Sequence, residues 1–151
     1  MKEHYLKQIE FQKWANSRTL QAIDQAKNPD ERALQLVAHI LGSSSIWLSR
    51  IKSEVPTIGN WDSLTSEKCQ LLNETNHINW TEYINNAANK DFERFVQFNF
   101  LGEQSKMNIS DIITHAINHG SYHRGQIIAS LKGKLEVLPL TTYIAFARIA
   151  D

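Results

Sequence analysis

Two histidines, His119 and His123, interrupt the apolar stripe of one long helical segment, and no other feature constrains the chain as tightly. At about 100° per residue, Ile109, Ile112, Ile113, Ala116, Ile127 and Leu131 fall on one face. His119 and His123 fall inside that stripe, whereas His115 falls just outside it. A segment with this period is an amphipathic helix, and its apolar face must be buried against other elements. The core-facing side of this turn is therefore occupied by two imidazoles, each needing partners for both ring nitrogens. An i, i+4 pair stacks its side chains about 5–6 Å apart at Cβ. Two ring nitrogens can then converge on one divalent ion, at about 2.0–2.1 Å each for zinc. The competing reading is a pair of core histidines bonded to neighbours. Two protonated rings so close would repel, which favours the metal. Gly120 between them costs roughly 1 kcal/mol of helix stability, and its missing side chain makes room for a group close to the backbone.

The rest of the chain supplies partners of the same kind. The spacing predicts a first helix over 3–27, with Leu6, Ile9, Leu20 and Ile23 on one face, Asn16 within that stripe, and Asn28-Pro29 as its end. A second helix is predicted over 30–51. Its stripe of Leu34, Val37, Leu41, Leu48 and Ile51 is widened by Leu36, Ile40 and Trp47, so it is buried on more than one side. His39 lies beyond the edge of that stripe. Residues 52–65, with Pro56, Gly59 and Asn60, read as a long connection. Thr65 or Ser66 caps a third helix reaching about residue 88, with Leu72, Ile78, Tyr83 and Ile84 as its apolar positions. A short β-hairpin over 94–107 follows, turning at Leu101-Gly102-Glu103-Gln104. Asn108 and Asp111 resemble a capping box for a fourth helix over 109–132, which Gly133 ends. After Leu138-Pro139 comes a short final helix over 141–150. The expected architecture is all-α, a four-helix bundle with a short hairpin before helix four and a short C-terminal helix, residues 1–151 forming one domain.

Composition narrows the function. Hydrophobic residues make up 42% and charged residues 21% of the 151-residue chain, the profile of a globular protein. Its net charge is zero and it has no basic cluster, which argues against nucleic acid as a partner. No apolar run approaches the roughly 20 residues a membrane span needs, and the start, MKEHYLKQIE, has no apolar signal-peptide core, so a cytoplasmic location is expected. Cys69 stands alone; it reads as a small hydrophobic filler, with a nucleophile as the alternative.

A third metal ligand must come from another helix, and on periodicity His39 is only slightly ahead of His77, with His4 too near the terminus. Metalloproteases of the zincin type need Glu directly after the first His of HxxxH; here His115 is followed by Ala116 and His119 by Gly120. Carboxylate-bridged di-iron bundles need a Glu-x-x-His unit on each of two helices, and the chain holds one, Glu74 to His77. A mononuclear, histidine-rich site remains.

Asn118-His119-Gly120-Ser121-Tyr122-His123-Arg124-Gly125-Gln126-Ile127 resembles the fourth-helix signature of the DinB/YfiT-like superfamily of helical bundles. Lys13-Trp14-Ala15-Asn16 is similar to its first-helix pattern. His39, Trp47 and Arg50 match its second-helix spacing, and Leu138-Pro139 through Ala147 its C-terminal segment. The resemblance implies a bundle with a long crossover between helices two and three. It implies a three-histidine metal site of His39, His119 and His123, which selects His39 over His77. It also implies a homodimer. Characterised relatives include thiol S-transferases that use low-molecular-weight thiols such as bacillithiol or mycothiol, and a maleylpyruvate isomerase. One departure is Tyr122, where relatives often carry another histidine.

The expected function is therefore a divalent-metal-dependent thiol S-transferase or hydrolase acting on a small substrate. Zinc is the first choice of metal, with nickel, iron or cobalt as alternatives because imidazole suits them all. The alternative function is a non-catalytic metal-binding stress or structural protein. Arg50 and Arg124 are candidates for an anionic substrate, against a reading as structural or ion-pair residues. Asn16 is a candidate substrate contact or a buried structural hydrogen bond, and Gln126 and Tyr122 are placed to orient a ligand.

Overall fold

The computed structural model describes residues 1–148. Four long helices carry the fold: α1 (Lys2–Gln25), α2 (Glu31–Lys52), α3 (Ser66–Asn86) and α4 (Ile109–Ser130). A 3-10 turn (Asn89–Glu93) and a hairpin of β1 (Phe95–Phe100) and β2 (Glu103–Asn108) precede α4, and a short α5 (Tyr143–Ala147) follows it. The chain is all-α apart from the hairpin. The predicted final helix over 141–150 is shorter at its start, and its residues 149–150 lie outside the described residues.

The helix ends follow local chemistry. The Asp30 carboxylate accepts from the Arg32 amide, Thr65 Oγ1 from the Lys68 amide and Asn108 Oδ1 from the Asp111 amide, each satisfying an amide that has no partner within its helix. α1 stops at Gln25, two residues before the predicted end, and Asn28 takes a left-handed conformation ahead of Pro29. The hairpin pairs Phe95 with Asn108 and Phe100 with Glu103, so the turn is confined to Leu101 and Gly102, both at positive φ. Glu103 and Gln104, read as turn residues from the sequence, belong to β2. Gly102 suits that turn because it carries no Cβ.

In the bundle α1 packs most extensively on α3 and α2 on α4. One half of the core gathers Ile9, Trp47, Leu48, Trp80, Ile84, Phe92, Ile109 and Ile113; the other gathers Leu20, Ile23, Leu36, Val37, Leu41, Cys69, Ile127 and Leu131. The sequence reading of α3 needs correction at one position. Ile78 is 60% exposed, and α3 buries Cys69, Asn73, Asn76, Trp80 and Ile84 instead. The buried amides are satisfied across the bundle. Asn76 donates to the Leu41 carbonyl and Asn73 to Ser17 Oγ and the Lys13 carbonyl, while Trp80 Nε1 donates to Ser44 Oγ. No helix among the described residues is long and apolar enough to cross a membrane.

With α2 against α4, His39 comes to the same level of the bundle as His119 and His123. The long connection after α2 returns past this level before α3 begins.

Candidate metal centre

α2 contributes His39, which is buried, and α4 contributes His119 and His123, both half-buried. One ligand atom from each lies within 4.8 Å of the other two, an arrangement that could hold a metal ion. The three rings stand 4.6–4.9 Å apart between centroids, at 68° to 80° to one another.

The hydrogen bonds decide which ring nitrogens are free to hold an ion. His39 Nδ1 lies 2.8 Å from the Asn60 carbonyl, so Nδ1 carries the proton and donates it there. In the neutral ring Nε2 is then a bare lone pair. His119 Nε2 sits 3.0 Å from it. Two bare lone pairs at that distance repel, so a proton or a cation must lie between them. A tetrahedral ion with bonds of about 2.0–2.1 Å holds neighbouring nitrogens roughly 3.3 Å apart, close to the spacing present. His123 Nδ1 donates to Gln126 Oε1 at 2.9 Å, which leaves its Nε2 lone pair available to a metal ion. Gln126 thus orients a ring by the device usual for metal-bound histidine.

Electrostatics keep His39 and His119 neutral. Burial first, then the neighbouring rings of His123, His39 and His115, push His119 down to about 4. Burial also lowers His39, offset in part by the bond to the Asn60 carbonyl. At neutral pH both rings offer lone pairs without first losing a proton, as a metal site requires. The donor set, imidazoles alone, fits borderline divalent ions such as zinc, nickel, cobalt or iron. Among the described residues no carboxylate, thiol or further histidine joins the three, so an ion here would keep an open coordination position.

The other candidates fall into two groups. Tyr122, 67% exposed, lies edge-on to His123 at 5.0 Å and borders the site. Arg50 lies over the ring of Trp47 at 4.6 Å and that of Phe98 at 5.8 Å; Trp47 in turn meets His115, which packs beside His119. Arg50 thus ends an aromatic chain that leads to the centre.

Asn16 and Arg124 belong to a separate network. The Arg124 side chain is 1% exposed and donates to Gln12 Oε1, Asn16 Oδ1 and Ser121 Oγ, with Phe11 beneath the guanidinium. No carboxylate pairs with it among the described residues, and burial lowers its pKa to about 10. Asn16 passes the network on to Asn73 of α3. Gly120 is what this network needs: a Cβ there would meet Gln12 Oε1 and stand 2.9 Å from Arg124 Nη1. Asn16 and Gln12 also line a narrow, partly open pocket of about 30 Å³, room for a water or two.

His77 donates from Nε2 to Glu10 Oε1 at 2.6 Å and forms no part of the three-histidine group. Cys69 is fully buried, and burial with nearby Asp24 raises its thiol to about 11, so the filler reading stands.

Three contributors were not singled out in the sequence. The Asn60 carbonyl holds His39, Trp61 stacks on its ring at 3.7 Å and 5°, and Gly42 lets this part of the crossover approach α2. A tryptophan in a polar connection, Gly59-Asn60-Trp61-Asp62, was the available signal, because loops that carry large aromatics often do so for a site.

Comparison with known proteins adds one finding. A family model described as DinB family matches residues 1–147. No curated protein and no solved structure matches the chain.

Proposed function

This chain belongs to the DinB family, and from that premise we propose that it is a divalent-metal-dependent enzyme, a thiol S-transferase or hydrolase acting on a small substrate. The metal ligands are His39, His119 and His123, and zinc is the first candidate ion. One observation carries the reading: three imidazoles converge with no fourth protein ligand among the described residues. Structural zinc sites are closed by four protein ligands, whereas catalytic ones keep a position for water or substrate. A divalent ion there supplies Lewis acidity, which favours the thiolate of a thiol or the hydroxide of a water.

The chain's own residues do the rest. The Asn60 carbonyl and Gln126 orient His39 and His123 through their Nδ1 protons. Tyr122 and Trp61, both exposed, place aromatic surface beside two of the ligands and offer an apolar organic substrate something to lie against.

The test is elemental analysis of tag-free protein purified under metal-replete conditions, followed by assays of the loaded and metal-free forms with an electrophile and a panel of low-molecular-weight thiols. Stoichiometric metal with metal-dependent thiol consumption or hydrolysis is expected. Protein without stoichiometric metal overturns the metal centre. Stoichiometric metal without rate acceleration leaves a non-catalytic metal-binding protein.

A further inference from the structure

The crossover between α2 and α3 is placed to act on the centre. Asn60 takes the Nδ1 proton of His39 at its carbonyl, 2.8 Å away. The next residue, Trp61, lays its indole flat on the same imidazole, 3.7 Å between centroids and 5° from parallel. Arg32, from the first turn of α2, lies over the Trp61 ring at 5.0 Å. Trp61 remains 54% exposed, so core filling does not account for the stack. Its stacked face is laid on the His39 ring.

Two features seat this segment. Asp62 Oδ2 accepts from the Gly59 amide at 2.7 Å and closes the turn that carries Asn60 and Trp61. Gly42, one helical turn after His39 with Ser43, lies under it. A Cβ at Gly42 would stand 2.9 Å from the Gly59 carbonyl oxygen, which is backbone and cannot swing away. Only glycine at 42 allows the crossover to sit this close to α2 without a shift.

Resting on the metal reading above, we infer that Asn60 and Trp61 are positioning residues of the metal centre and that Gly42 is the position that admits them. They fix the tautomer and ring plane of His39, so that Nε2 faces His119 and His123 before any ion arrives. His39 is the one ligand supplied by α2, and the separation of its ring from the α4 pair depends on how the crossover holds it. The pair on α4 is positioned by its own helix; His39 is positioned by a loop. Groups that orient a ligand in this way typically contribute about 10–100-fold to metal affinity.

The experiment compares wild type, Trp61→Leu and Gly42→Ala by zinc competition against a chromophoric chelator. It also records 15N spectra of the histidine rings in the metal-free proteins. Trp61 is largely exposed, so Trp61→Leu is expected to keep the metal-free melting temperature while lowering zinc affinity by about 10–100-fold. Gly42→Ala is expected to do the same to affinity. In metal-free wild type the His39 proton should reside on Nδ1, and both variants should show a mixture of tautomers. Unchanged zinc affinity in Trp61→Leu, or a His39 proton on Nε2 in metal-free wild type, overturns the inference. If wild type takes up no zinc, the metal reading fails by itself, and the His39 tautomer in the metal-free proteins still decides whether the crossover positions the ring.

Discussion

The Nε2 atoms of His39 on α2 and His119 on α4 face each other across 3.0 Å. His39 has its other nitrogen committed to the Asn60 carbonyl, so the contact requires a proton on His119 Nε2 or a cation shared between the rings. This one distance makes the centre testable by substitution.

Removing either side of it should remove the ion. His119→Ala and His39→Ala are each expected to abolish stoichiometric zinc binding, measured by elemental analysis and isothermal titration. In wild type, zinc at about a hundred times its Kd should stabilise the fold by about 2.7 kcal/mol, read as a rise in melting temperature. That rise should be absent from both variants.

Acid should weaken the metal-free protein through the same rings. His119 has its pKa lowered from 6.5 to about 4, so between these values the unfolded chain binds a proton that the folded chain refuses. The sign follows directly: the contribution of His119 is fully present above about pH 6.5 and is lost as pH falls through its folded pKa. His39, lowered by burial, acts in the same direction. Urea midpoints of metal-free protein should fall from pH 7 to pH 4.5, and His119→Gln should show a smaller fall.

The Arg124 network predicts a stability effect separable from the metal. Asn16→Leu removes an acceptor from the buried guanidinium and a donor from Asn73 Oδ1. Buried groups left without partners cost about 1–3 kcal/mol each, more when charged. The variant should lose at least about 2 kcal/mol in urea unfolding and keep its zinc stoichiometry. Loss of zinc with unchanged stability would instead place Asn16 at the metal centre.

Gly120→Ala tests the same network from the other side. Helix propensity alone would stabilise α4 by about 1 kcal/mol. The new Cβ would run into Gln12 Oε1 and Arg124 Nη1, which hold each other. Net destabilisation is expected in urea or thermal unfolding, and a stabilised variant would show that Gln12 yields freely.

Cys69 should be silent. It is 0% exposed with its pKa raised to about 11, so an aromatic disulfide reagent at pH 8 should fail to label the native protein and should label it fully in guanidinium. Cys69→Ala should leave the zinc stoichiometry and the proposed metal-dependent activity unchanged.

How much of this was legible in the chain varied with the range of the interactions involved. α1, α2 and α4 could be placed from helical periodicity because enough apolar residues keep the helical period, even where Asn16, His119 and His123 interrupt the stripes. α3, expected from Thr65 or Ser66 to about residue 88, lies over Ser66–Asn86, but its weaker pattern put Ile78 in the core, where the structure leaves it exposed. The face that α3 buries is partly amide, Asn73 and Asn76, and their burial is made tolerable by acceptors on α1 and α2, and by Asn16 of α1 as donor to Asn73, that no pattern within α3 reveals.

The amino-acid sequence by itself determined that His119 and His123 share one face, because an i, i+4 spacing on a helix is a local property of the backbone. It left His39 and His77 open as the third partner on periodicity, and the resemblance favoured His39. Only the tertiary structure decided what each ring meets. The packing of α2 on α4 sets His39 against the α4 pair, and that of α3 on α1 gives His77 to Glu10. The tautomer of His39 was decided there too, since it depends on a carbonyl twenty-one residues further along a chain that must first fold back over α2.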